Sequence, residues 1–388
     1  MSSQPARVIP TLGIIGGGQL AKMIAQSARQ LGCDVAVLER QTHSPAADLT
    51  THHIVGDWDD PQTLVSLGQV SDVVTLENEF VSADSLAALE QAGHTLWPSS
   101  ANIRMVQDKL TQKQAFVDAG LPVPRFQAVA DKAAVAAAAE KLGWPLLLKK
   151  RRNGYDGKGN FTVRSATDIE TAWQQLGGDQ NELYVEEFCR FKAELAIMIT
   201  RGRDGSSVSY PLVETIQRDH ICHVVKAPAA VSAEIAARAA DIAQRAVAAV
   251  NGVGSVGVEM FLTADNNILI NEMAPRVHNS GHYTIEACVC SQFENHVRAV
   301  MGWPLGDPSL RASAAVMVNL LGAAKGSGRP HGLETALRIP GTHVHVYGKT
   351  STSPGRKMGH LTTLGETVEE ALDRAQRAAD AIHFGGDH

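Results

Sequence analysis

Between Asn271 and His282 the chain places a carboxylate (Glu272), a guanidinium (Arg276), two imidazoles (His278 and His282), two amides and a hydroxyl (Ser280). The run follows the apolar residues Asn267 to Ile270, which read as a strand, so its polar groups fall at a strand end, where side chains can converge on a ligand. A second carboxylate, Glu259, sits in the apolar stretch Val258 to Phe261. The segment Thr263-Ala264-Asp265-Asn266-Asn267 between them reads as a hairpin turn, across which Glu259 and Glu272 face one another. A carboxylate on a strand must be solvated, paired or metal-bound, and hard oxygen ligands of this kind suit Mg²⁺ carrying nucleotide phosphates. Position alone is equally compatible with a solvated hairpin whose acids face water.

Two glycine loops add phosphate chemistry. Gly16-x-Gly18-x-x-Ala21 follows a strand, and Glu39 ends the next one, which fits the dinucleotide fingerprint. Physically, such a turn offers backbone N–H groups at a helix N-terminus, here with Gln19 and Lys22 alongside, and a phosphate site is expected there. The run from Lys149 to Asn160 is more specific: Gly154, Gly157 and Gly159 allow the backbone to fold over phosphates, and Lys149 supplies a cation from the preceding strand. Its lysine precedes the glycines, so the loop is not a Walker A motif. Tyr155 and Asp156 exceed what an exposed basic hairpin needs.

Tyr184-Val185-Glu186-Glu187-Phe188-Cys189, followed by Glu194, reads equally as a half-buried strand or as a hinge that holds adenine through backbone groups and ribose through a carboxylate. Lys349 and the loop Pro354-Gly355-Arg356-Lys357-Met358-Gly359-His360 form either a solvated cationic turn or a clamp for phosphate or carboxylate.

The elements that must position these groups follow from periodicity. Strands are expected at Thr11 to Ile15, Val35 to Leu38, His53 to Val55, Val73 to Leu76 and His94 to Trp97. Helices are expected between them at Gln19 to Leu31, Pro61 to Leu67 and Ala83 to Ala92, an alternation that predicts a parallel, doubly wound domain. A helix from Met105 to Ala119 follows, then an Ala-rich helix from Lys132 to Leu142 and strands at Pro145 to Lys149, Tyr184 to Phe188 and Glu194 to Ile199. A long helix is expected from Val231 to Val250. Toward the C-terminus come strands at Ala315 to Leu320 and Thr342 to Tyr347, and a last helix from Val368 to Ile382.

With 388 residues, the chain is long enough for two or three domains. A hydrophobic content of 44%, 34 glycines and only 5% aromatics point to an α/β enzyme. Net charge of -6 argues against nucleic acid or an anionic membrane as partner, so anionic ligands must be met by local cationic clusters. The five scattered cysteines form no zinc pattern and suggest neutral thiols in a reducing compartment. No apolar run is long enough to span a bilayer and no signal-peptide core is present, so a cytoplasmic location is expected.

Together these motifs resemble the ATP-grasp superfamily, and within it the chain is similar to the N5-carboxyaminoimidazole ribonucleotide synthetases, the biotin-independent carboxylases of purine biosynthesis. The resemblance rests on Gly16 to Leu20, Gln107-Asp108-Lys109, Gly154 to Gly159, Asn271 to His282 and Gly355 to His360. It implies an α/β and α+β architecture: a Rossmann-like domain (1–100), a two-lobed ATP-grasp domain (101–312, with a lid at about 125–186) and a small β-rich C-terminal domain (313–388). The implied reaction is ATP-dependent carboxylation of aminoimidazole ribonucleotide by bicarbonate through carboxyphosphate, with ATP and Mg²⁺ but no biotin, in a homodimer. Carried over by motif, Arg104, Lys109 and Lys149 contact ATP phosphates, and Gly154, Tyr155, Asp156, Gly157, Lys158, Gly159 and Asn160 form the lid loop. Glu186, Glu187, Phe188, Cys189 and Glu194 form the adenine and ribose hinge. Glu259 and Glu272 hold Mg²⁺ with Asn271 beside them. Gln19, Leu20, Glu77, Tyr155, Lys349, Arg356 and Lys357 receive the ribonucleotide. Arg276, His278, Asn279 and Ser280 orient bicarbonate, and Asp156 or His278 manages the amine proton. Three departures stand out: Asn153 replaces a glycine, Leu76 an aromatic residue, and Gln217 a histidine near the nucleotide. Another ATP-grasp ligase, such as the formate-dependent glycinamide ribonucleotide transformylase, is the nearest competing reading. An NAD-binding oxidoreductase would leave every motif after the first glycine turn unused, and a non-catalytic nucleotide-binding regulator would bind ATP without releasing ADP.

Overall fold

Thr11–Ile15 is buried along its whole length, and that is the signature of a strand covered on both faces. It lies at the centre of a four-stranded parallel sheet in the order His52–Val55, Asp34–Glu39, Thr11–Ile15, Val73–Leu76. Helix Gln19–Gln30 connects the first two of these strands in the sequence and Pro61–Val70 the last two, and helix Ala83–Gln91 follows the last strand. The computed structural model describes residues 9–154 and 159–385. The strand expected at His94 to Trp97 is reduced to a single bridge between Val74 and Leu96, because Pro98 has no N–H with which to extend the ladder.

The helix expected from Met105 to Ala119 is two helices, Ser100–Gln107 and Lys109–Asp118. Asp108 separates them: its backbone is extended (φ -96°, ψ 103°) and its carboxylate accepts from the N–H groups of Leu110 and Thr111, capping the second helix. The same carboxylate receives Arg151 at 2.5 Å, which ties this helix start to the base of the second glycine loop.

A small antiparallel sheet follows, in the order Phe126–Val129, Leu183–Glu187, Leu146–Lys150, Asn160–Val163. Helices Lys132–Leu142 and Ile169–Leu176 supply Val135, Ala138, Ala172 and Trp173 to its core. The second lobe and the C-terminal region share one nine-stranded sheet. Its main path runs Ile268–Ala274, Gly254–Thr263, Phe191–Arg201, Val213–Arg218, Ile221–Ala227, Ala314–Leu321, Lys357–Gly365, Thr342–Val346. Helix Ala233–Ala249 covers one part of it through Ala239, Ile242, Ala243 and Val247, and helix Val368–Ala381 covers another through Ala371, Ala375 and Ala378.

The basic stretch read from sequence as a turn runs directly into strand Lys357–Gly365, whose inner residues include the buried polar His360, Thr362 and Thr363. Polar residues at core positions mask the alternation by which a strand is recognised. Among the described residues no helix is long and apolar enough to cross a membrane.

Candidate active site

Strands Gly254–Thr263 and Ile268–Ala274 form the hairpin that the two carboxylates imply, and Glu259 is the cross-strand partner of Glu272. Like charges directly opposed on a sheet repel. Burial and the Glu272 carboxylate push Glu259 well above the usual carboxylate range. Burial acts on Glu272 in the same direction, yet the cations of Lys109 and Lys149 outweigh it and hold Glu272 well below that range. Lys109 hydrogen-bonds Glu272 directly. Both acids line a cleft together with Gln19, Leu20, Glu79, Phe80, Lys109, Gly154, Arg276, His278, Asn279 and Lys357.

Asn153 and Gly154, where the second glycine loop leaves the small sheet, line this cleft. Gly154 and Gly159 approach so closely that a Cβ on Gly159 would stand 2.6 Å from the Gly154 Cα, which requires glycine there. Asn153 takes a left-handed conformation (φ 59°), one that asparagine tolerates better than most residues. Asn160 begins the following strand, paired with Lys149. Tyr155, Asp156, Gly157 and Lys158 lie outside the described residues.

Lys149 is buried and donates to Glu186 Oε2 at 3.2 Å. Glu186 Oε1 receives Lys113 at 3.1 Å and the Tyr184 hydroxyl at 2.9 Å. Two lysines therefore share one buried carboxylate, and their attraction outweighs the burial that would raise it, leaving Glu186 below its usual range. Its side chain is committed to this network rather than open to a ribose. Lys113, which sequence reading missed, also donates to the Asn271 carbonyl at 3.0 Å and so joins the small sheet to the carboxylate hairpin. Glu187 pairs with Arg125 at 2.6 Å, while Phe188 is exposed beside it. Gln217 hydrogen-bonds Glu194, whose carboxyl is raised by burial. Arg104 pairs with Asp84 on the surface at 2.7 Å and is not among the cleft residues.

The first glycine turn differs from the expectation of open N–H groups. Gly17 N–H donates to Glu39 Oε2 at 2.8 Å, and Gly18 and Ala21 N–H donate to the two oxygens of Glu77 at 2.9 and 3.0 Å. Protein carboxylates thus occupy the helix N-terminus that the fingerprint reserves for phosphate. Glu77 is raised by burial, against which these N–H donors act.

A second groove adjoins the first and shares Gln19, Leu20, Phe80, Arg276 and Lys357 with it. Its further walls are Glu77, Lys349, Pro354, Gly355 and Arg356, so six of the seven residues assigned to the ribonucleotide line one groove, the seventh, Tyr155, lying outside the described residues. Lys349 donates to the Lys357 carbonyl at 2.7 Å and is lowered to about 8, first by burial and then by the Arg356 and Lys357 charges.

Where the grooves join, Arg276 grips the Glu79 carboxylate with Nε and with Nη2, the latter at 3.0 Å. Such forked pairing is how guanidinium recognises any carboxylate. His278 Nδ1 contacts Ser280 Oγ at 3.0 Å. Burial, Arg276 and Lys357 depress His278 to about 3. The imidazole is therefore neutral near pH 7, and its 3.6 Å approach to Glu259 is not an ion pair. Behind this loop, His282 contacts the buried His360 ring at 4.7 Å, and His360 stacks on His345, which is hydrogen-bonded to Glu286 at 2.6 Å.

Three family models cover most of the chain: a ribonucleotide synthetase preATP-grasp domain over residues 9–107, an ATP-grasp domain over 114–293, and a phosphoribosylaminoimidazole carboxylase C-terminal domain over 315–374. The chain is 41% identical to the chloroplastic phosphoribosylaminoimidazole carboxylase of Vigna aconitifolia, matching 92% of its own length but only 64% of that longer protein. It is also 41% identical to the N5-carboxyaminoimidazole ribonucleotide synthase of Synechococcus elongatus, with 95% of this chain and 92% of that one matched. Among solved structures it resembles the Aspergillus clavatus N5-carboxyaminoimidazole synthase in complex with ADP and 5-aminoimidazole ribonucleotide. That likeness has a TM-score of 0.89 and 38% identity, and covers 96% of this chain and 98% of the other.

Proposed function

The chain belongs to the N5-carboxyaminoimidazole ribonucleotide synthase family, and from that membership we infer that it carboxylates 5-aminoimidazole ribonucleotide with bicarbonate at the expense of ATP. The products are N5-carboxyaminoimidazole ribonucleotide, ADP and phosphate, a step of purine biosynthesis. The observation that carries this reading is the continuity of the two grooves: a carboxylate hairpin with lysines at one end and a basic loop at the other share the wall of Gln19, Leu20, Phe80, Arg276 and Lys357.

Bicarbonate is a poor electrophile. A bicarbonate oxygen attacks the γ-phosphorus as ADP leaves; the carbon of the resulting carboxyphosphate then passes to the amine nitrogen, releasing phosphate and the amine proton. Holding the unstable intermediate beside the amine and away from water is the enzyme's principal contribution.

Lys109 and Gly154, which line the cleft, would meet the transferring phosphoryl group, with the charge of Lys149, buried against Glu186, behind them. Glu259 and Glu272 fit a hard dication: two opposed oxygen donors, one of them raised by burial and by the charge of the other. Among the described residues no cluster of three or more metal-binding side chains occurs, so such an ion would complete its shell with water and phosphate oxygens. Mg²⁺ bound there would neutralise charge on the transferring phosphoryl group. Arg276 and Asn279, which line the cleft, would meet bicarbonate there, with Ser280 holding His278 from behind. His278, held neutral, suits hydrogen bonding to that anion better than storage of the amine proton. Lys349, Arg356 and Lys357 would receive the ribonucleotide phosphate. The same reading includes a cytoplasmic homodimer.

The test is ADP release in bicarbonate buffer with and without aminoimidazole ribonucleotide, and again after bicarbonate is removed. Release that depends on both compounds is the expected result. Release indifferent to the ribonucleotide would sink the reading.

A further inference from the structure

We propose that Asn319, in the C-terminal region, is a positioning residue for bicarbonate and carboxyphosphate, acting by fixing the amide of Asn279; the proposal rests on the carboxylation reading above. Asn319 lies in strand Ala314–Leu321 and is only 2% exposed. A buried amide must find partners for two N–H donors and one carbonyl acceptor. Its Nδ2 donates to the Cys222 backbone carbonyl at 2.8 Å and to Asn279 Oδ1 at 2.5 Å, and its Oδ1 accepts from Asn279 Nδ2 at 2.9 Å.

This arrangement carries directional information. The two ends of an amide differ only in what they can bond, so the partners decide which way it points. A backbone carbonyl can only accept. Cys222 therefore fixes which terminal atom of Asn319 is nitrogen, and the reciprocal pair then fixes which terminal atom of Asn279 is nitrogen. Asn279 lines the cleft next to Arg276, His278 and Lys357.

With its Oδ1 and one Nδ2 hydrogen committed to Asn319, Asn279 has a second Nδ2 hydrogen pointing away from that pair. That hydrogen is suited to an oxygen of bicarbonate or of carboxyphosphate. In the reversed sense the amide would turn a carbonyl lone pair toward an anion, which repels it. The strand residue thus selects, from behind, the polarity that the cleft presents to its acceptor.

The experiment varies bicarbonate at saturating ATP and ribonucleotide in Asn319→Ala, Asn279→Ala and the double variant of the full chain. In Asn319→Ala the KM for bicarbonate is expected to rise about tenfold, the loss of one hydrogen bond to a charged ligand. The KM for ATP should stay within about twofold, and the double variant should be no worse than Asn279→Ala, since residues acting through one contact are not additive. Asn319→Ser, which keeps a small polar side chain but removes the amide that pairs with Asn279, carries the same expectation should the alanine variant not fold. An unchanged bicarbonate KM in a folded position-319 variant or in Asn279→Ala would overturn the proposal, as would full additivity in the double variant. Wild-type ADP release without dependence on bicarbonate would instead overturn the carboxylation reading itself.

Discussion

At the hairpin end of the cleft Glu259 and Glu272 oppose one another, with Lys109 hydrogen-bonded to Glu272. At the other end Arg276, Lys349, Arg356 and Lys357 gather, with Glu79 gripped by Arg276. Each end thus concentrates the charge opposite to that of its expected ligand, and each lends one internal counterion to the concentration. Like charges gathered in a recessed site are costly unless partly compensated. The internal partners keep the unliganded protein tolerable, and a ligand needs only to complete the neutralisation. A single charge sign spread along the whole cleft could not serve both a metal-nucleotide and a free anion.

This contrast can be broken at either end. Removing one hairpin charge should have the largest effect. Glu272→Gln deletes an oxygen ligand and the partner of Lys109, and ADP release is expected to fall about 10²- to 10³-fold, a loss typical of a group that stabilises transition-state charge. Rapid ADP formation by a folded variant would show that the acids are only a solvated hairpin.

At the basic end, Lys349 is lowered to about 8 by burial, then by Arg356 and Lys357. A lowered lysine is charged below that value and neutral above it, so kcat/KM for the ribonucleotide should fall as pH rises through about 8. That parameter reports the free enzyme. Lys349→Arg, which keeps its charge at all accessible pH, should remove the alkaline limb. A wild-type profile flat to pH 9.5 would place the phosphate elsewhere.

The smallest effect is expected between the two ends, at Asn153. Glycine there would relax a left-handed backbone while loosening the unfolded chain, opposing contributions of about 1 kcal/mol or less each. Thermal stability should move by no more than a few degrees, and the KM for ATP should stay within about twofold. A tenfold change in that KM would mean the side chain, not the backbone, governs the loop.

Much of this arrangement is legible in the sequence because it depends on local pattern. The hairpin that carries Glu259 and Glu272 follows from strand periodicity and its turn, and strands Thr11–Ile15 and Val73–Leu76 have the bounds that their apolar runs imply. The direct opposition of the two acids, however, comes from a β-bulge between Glu259 and Met260 that shifts the register by one residue, without which Glu259 would face Asn271. What escapes is the set of partners. Glu79, Lys113 and Asn319 are 197, 158 and 40 positions from the groups they hold, and nothing in their own neighbourhoods singles them out. The first glycine turn is misleading for a related reason: its pattern specifies N–H groups at a helix start, whereas the carboxylates that fill them come from Glu39 and Glu77. The break at Asp108 is a capping decision that a continuous apolar pattern conceals.

One feature of the large sheet has a bearing on biosynthesis. Strand Ile221–Ala227 pairs with Ala314–Leu321, and that strand pairs in turn with Lys357–Gly365. A growing chain emerging from the ribosome leaves the first of these with an open edge until residues near 321 appear, and the second until residues near 365 appear. An uncovered edge is a template for foreign pairing, and a sheet joined over such distances assembles slowly. Translation must therefore pass residues near 365 before the basic loop is anchored opposite the carboxylate hairpin, and a product cut short before that point would be left adhesive rather than partly active.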